Sequence, residues 1–83
     1  MLVEEMNEVV SVRADFTGGE ITPRIFKRNG KTYRVSAVNA RWQDREGAHP
    51  VHRFSVQVDG DTYFVSFHTG EMLWRIEKVI LEG

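Results

Sequence analysis

Ile25-Phe26-Lys27-Arg28-Asn29-Gly30-Lys31-Thr32-Tyr33-Arg34-Val35 is the stretch on which the fold turns. Asn-Gly between two alternating segments is the strongest short hairpin signal, because a type I′ turn needs positive φ at both central residues. A two-residue turn there sets the register. Arg28 opposes Lys31, Lys27 opposes Thr32, Phe26 opposes Tyr33, and Ile25 opposes Arg34. Phe26, Tyr33 and Val35 then share a core face, and Ile25, Lys27, Thr32 and Arg34 share the other. Asp59-Gly60 repeats the signal between segments 52–58 and 62–68. Phe54, Val56, Val58, Tyr63, Val65 and Phe67 form its apolar face. Arg53, Ser55, Gln57, Thr62, Phe64, Ser66 and His68 lie opposite.

Outward from these hairpins the pattern is less even. Val10, Val12, Ala14 and Phe16 alternate with Ser11, Arg13 and Asp15, which predicts a half-buried strand over 9–16. Thr17-Gly18-Gly19-Glu20 supplies a turn into a strand over 21–28. The third strand runs on to Trp42, but its phase slips. Val38, Ala40 and Trp42 read as its buried set, which calls for a bulge near Ser36-Ala37. Segment 43–51 is polar and turn-rich and reads as a loop. Leu2, Met6, Val9 and Val10 stand at helical spacing, which allows a short N-terminal helical turn. Segment 72–81 fits a helix through Met72, Ile76, Val79 and Ile80, or a final strand from Leu73; periodicity does not choose between them. The expectation is a mainly β chain: a single small antiparallel barrel or strongly twisted sheet of five or six strands, forming one domain over 1–83.

Composition narrows the function classes. Of 83 residues 41% are hydrophobic and 28% charged, a globular balance. The absence of cysteine excludes disulfides, thiolate metal sites and cysteine catalysis. No apolar run approaches the roughly 20 residues of a membrane-spanning helix. The start Met1-Leu2-Val3-Glu4-Glu5 is acidic where a secretory signal is basic, so the expected location is cytoplasmic, with no membrane partner. Net charge is −1, yet the stretch from Arg24 to Arg53 holds eight basic and two acidic residues. Such asymmetry suits anion binding or self-association, unless the fold interleaves the two halves.

The run Phe26-x3-Gly30-x2-Tyr33-x-Val35-x2-Val38-x3-Trp42 resembles a small uncharacterised bacterial β domain. So do Arg53-Phe54-x-Val56, Gly60-x2-Tyr63 and Trp74-x-Ile76-x2-Val79. That domain occurs alone and as a C-terminal appendage of Y-family-polymerase-like proteins of the DNA-repair type. Asn7-Glu8-x-Val10-x-Val12-Arg13 is similar to the start of its standalone members. The resemblance covers nearly the whole chain and implies an all-β architecture, which favours a strand at the C-terminal segment. It implies no established activity. It suggests contact with nucleic acid or with a repair or polymerase protein. Members often carry extra aromatics after the position of Trp42, where this chain has only Gln43 to Val51.

The residues offer little for catalysis, and no enzyme activity and no cofactor are expected. No Gly-x-Ser-x-Gly elbow exists, and although Ser66 and His68 share a face, no orienting acid is evident by spacing. Gly30-Lys31-Thr32 imitates a phosphate-binding loop, but Ile25 stands where the first glycine belongs. Asp59 and Asp61 flank a turn, where Asp is favoured anyway. His49, His52 and His68 make a three-imidazole metal site conceivable, against the plainer reading of surface histidines. The most informative constellation is the outward sheet face. Lys27, Arg34, Arg41 and Arg53 would contact phosphates and Phe64 would stack a base. The plainer reading is a solvated face whose arginines cover Phe64 and Ile25 and pair with acids. The alternative function is a protein-interaction or self-associating module, including a homodimer, using Phe64, Ile25 and the edge strands.

Overall fold

The computed structural model describes residues 1–82. Seven strands follow one another: β1 (Leu2–Thr17), β2 (Glu20–Arg28), β3 (Lys31–Arg34), β4 (Ala37–Glu46), β5 (His49–Val58), β6 (Asp61–His68) and β7 (Leu73–Leu81). They form a single antiparallel sheet in the order β3-β2-β1-β7-β6-β5-β4, curled into a half-barrel. The β class is as expected, and the strand count is seven rather than five or six. Among the described residues there is no helix, and so none long and apolar enough to cross a membrane.

Both hairpin registers follow their turns. Asn29 and Gly30 have φ of 52° and 76°, and Asp59 and Gly60 have 49° and 86°. Ile25 faces Arg34 and Phe26 faces Tyr33, while Phe54 faces Val65 and Val56 faces Tyr63. The core is Phe26, Phe54, Val56, Val58, Tyr63, Val65, Phe67, Trp74, Ile76 and Val79. It fills the concave side of the sheet, where aromatic rings pack at centroid distances such as 4.9 Å for Phe26–Tyr33 and for Phe67–Trp74.

Four expectations are corrected. The N-terminal segment is strand, not helical turn: β1 pairs with β7 over Leu2–Val10 and with β2 over Ser11–Thr17. Met6 and Val10 pack on the core while Val9 is exposed, so the apparent helical spacing mixes two faces of one strand. Phe16 is 62% exposed at the barrel mouth instead of buried. Segment 43–51 is a hairpin, with Glu46 facing His49 across Gly47-Ala48. Its first strand is a solvent-facing edge, which needs no apolar alternation. Of the two readings open for the C-terminal segment the strand holds, and it is central, between β1 and β6.

The fourth correction concerns the phase slip, whose cause is a change of partner. β3 pairs with β2 at one edge of the sheet, and β4 pairs with β5 at the opposite edge. Between them, the Val35 N–H donates to Arg24 O at 2.8 Å and the Ser36 N–H to Gln57 O at 2.9 Å. Two consecutive amides thus join the two edges. The bulge lies later, between Val38 and Ala40. Beyond it Ala40 and Trp42 pair with Ser55 and Arg53 on the outer face, and Trp42 is 44% exposed.

Candidate functional site

The five residues read from the sequence fall into three places. Lys27 and Arg34 stay together on the outer face of the β2–β3 hairpin, both exposed. Arg53 and Phe64 occupy the outer wall of β5 and β6, engaged by their own chain. Arg53 bridges Asp44 at 3.4 Å and Glu77 through a short ion pair. Phe64 is half-buried, with the Lys78 ammonium 4.7 Å from its ring centre and Trp42 edge-on at 6.5 Å. Arg41 sits apart, reaching across the gap between β4 and β2. Its Nη2 lies 3.4 Å from Ile21 O and 3.3 Å from Thr22 Oγ1, and its Nη1 lies 3.8 Å from Glu20.

The basic stretch is partly neutralised by acids from elsewhere in the chain. Arg24 pairs with Asp15, Arg28 with Glu8, Arg41 with Glu20 and Arg53 with Glu77. Antiparallel pairing brings the acidic first strand onto the basic second one, which no count along the chain reveals. Lys27, Lys31, Arg34 and Arg45 keep no carboxylate partner among the described residues. Three of these four sit on the β2–β3 hairpin. The sheet adds a fourth cation there. Arg13 on β1 faces Ile25, which faces Arg34, so one ladder row reads Arg13-Ile25-Arg34 with Lys27 two residues along. Arg13 also has no carboxylate partner among the described residues. The sequence reading omitted it. The turn at Thr17–Glu20 alone would set Arg13 opposite Arg24, and only the bulge between Arg13 and Ala14, which the sequence does not announce, brings it to Ile25.

Where the edges of β2 and β4 part, a cleft of about 660 Å³ opens into the barrel mouth. Ile21 and Phe54 line its base, and Phe16, Arg41, Gln43 and His52 its walls. The Phe16 ring meets Phe67 edge-on at 6.0 Å, and the His52 ring stacks on the same Phe67 at 6.4 Å and 21°.

On the outer wall Ser66, His68 and Glu46 form a relay. Ser66 Oγ lies 2.9 Å from His68 Nε2, and His68 Nδ1 lies 2.9 Å from Glu46 Oε1. The hydrogen bond to His68 holds the Glu46 carboxyl below the usual carboxylate range. An ionised carboxylate only accepts, so Nδ1 carries the proton, and in the neutral ring Nε2 accepts from Ser66. The acid that spacing did not reveal thus comes from the neighbouring hairpin. Ser66 is fully buried and does not line the barrel-mouth cleft, so its hydroxyl is closed to an acyl substrate. The relay holds together an outer-face patch of Ser66, His68, Ser55 and Val51, all buried. His52 belongs to the inner face and His68 to the outer, which separates the imagined metal ligands. Among the described residues no group of three or more His, Asp or Glu side chains is placed to hold a metal ion.

No protein family, curated protein or solved structure matches the chain.

Proposed function

We propose that this protein is a small binding module that takes single-stranded nucleic acid on the outer face of β1, β2 and β3. The observation that carries the reading is the cluster of Arg13, Lys27 and Arg34 around half-buried Ile25. All three are exposed, on adjacent ladder positions, and without a carboxylate partner among the described residues. Rungs of a sheet are about 4.8 Å apart, so the cations form a compact patch. Such a patch suits phosphates, and its binding is read through counterion release. Arg53 and Phe64 have no part in this site, because their charge and ring face are already engaged.

Titration with a mixed-sequence single strand at several salt concentrations tests the reading. Three phosphate contacts predict a log–log slope of about −2. Lys27→Glu with Arg34→Glu should abolish binding, and Arg53→Gln should leave it unchanged. Affinity indifferent to the first pair would remove the assignment.

A second reading rests on the edge of β4. Its ten residues pair on one side only, and Trp42 stands exposed among them. A free edge is a template for another strand, so this reading predicts a concentration-dependent mass that Trp42→Ser lowers.

A further inference from the structure

We propose that the barrel-mouth cleft is a separate ligand site, for a small planar aromatic anion such as an aryl carboxylate or sulfonate. Three observations carry it. The cavity, about 660 Å³, lies within the range of small-molecule sites, which β-barrels commonly hold in their mouths. Its walls present rings. Phe16 is 62% exposed although it continues the inward-facing register of β1, and His52 stands opposite with its ring laid on Phe67. An aromatic side chain left uncovered over an apolar base of Ile21 and Phe54 loses the contacts that a flat guest would restore.

The third observation is the polar group. Arg41 enters the cleft from the β4 side, and its contacts are all long: 3.3 and 3.4 Å to oxygens of Thr22 and Ile21, and 3.8 Å to Glu20. A guanidinium has five N–H donors in a planar fork matched to a carboxylate or sulfonate. Here most of that capacity is unspent. Glu20 is the competing acid at the rim, 59% exposed, so an incoming anion exchanges one loosely held carboxylate for a better-seated group. The aromatic body then lies against Phe16 and His52, with its anion on Arg41. This site does not depend on the nucleic-acid reading, since it uses none of Arg13, Lys27 or Arg34.

The test is a titration of the ¹⁵N-labelled protein with naphthalene sulfonate, followed by amide and indole shifts. Saturable shifts at the Phe16, Gly19 and Gln43 amides and at the Trp74 indole, whose ring stacks on Phe54 at the cleft base, are expected, with the Lys27 amide unmoved. Arg41→Gln and Phe16→Ala should each weaken binding by about tenfold or more, as loss of a charge-assisted bond or a ring contact implies. Both side chains are on the surface, so both variants fold. Glu20→Gln should tighten binding, and Lys27→Gln should not alter it. Absence of saturation at millimolar probe, or affinity indifferent to both Arg41→Gln and Phe16→Ala, would overturn the site. Equal affinity for neutral naphthylmethanol would overturn the anion class.

Discussion

The Arg28 guanidinium grips the Glu8 carboxylate through both oxygens, Nε at 3.1 and 3.0 Å and Nη2 at 2.9 Å. The pair ties β1 to the second strand beside Tyr33, which also favours the charged Arg28. It holds the Glu8 carboxyl below its ordinary value and raises that of Arg28. A bidentate Arg–carboxylate contact is the strong form of the ion pair.

The consequence is a dependence of stability on pH. Because the folded-state value of Glu8 is depressed, its contribution is complete above the ordinary carboxylate range. It is lost as pH falls through the lowered folded value. Glu8→Gln should therefore lower the urea midpoint at pH 7 and flatten the acid limb of the stability curve. An unchanged midpoint at pH 7 together with an unchanged acid limb would show that the pair contributes nothing.

Ser66 and His68 give a second prediction. Ser66→Ala leaves the buried His68 Nε2 without its partner and should cost about 1–3 kcal/mol in chemical denaturation. A loss well below that range would mean that water replaces the hydroxyl. The Glu46–His68 contact should persist into moderately acidic solution, since the carboxyl is held low by its histidine.

The joint at Val35 and Ser36 gives a third. Ser36→Pro deletes the amide that donates to Gln57 O, and Ser36→Ala deletes only the exposed hydroxyl contact to the same oxygen at 3.1 Å. The proline variant should lose about 1–3 kcal/mol, and the alanine variant about 0.5 kcal/mol or less. Equal losses in the two would mean that the amide does not hold the edges together.

How much of this was readable beforehand varies by element. The hairpins at Asn29-Gly30 and Asp59-Gly60 were legible to the residue, because a two-residue turn couples local dihedrals directly to cross-strand register. The six inward residues of the second hairpin were legible for the same reason. Segment 43–51 was not, because an edge strand exposed on both faces carries no apolar alternation to detect. Of the basic residues, Lys27 and Arg34 were correctly placed on one face by register alone. Arg53 looked like their companion and belongs to another wall, since the wall is assigned by strand order.

The sequence by itself thus determined the β class, the hairpin turns at Asn29-Gly30 and Asp59-Gly60, their register and the face on which most of their side chains lie. These depend on contacts a few residues apart, governed by turn dihedrals and the two-residue period. Only the tertiary structure decided that β3 and β4 part to opposite edges, that β7 is central, that Phe16 stands over an open mouth and that Glu46 meets His68. Each of those rests on which distant strands lie side by side. That choice is made by burial of the shared core as the whole sheet curls, and no local pattern encodes it.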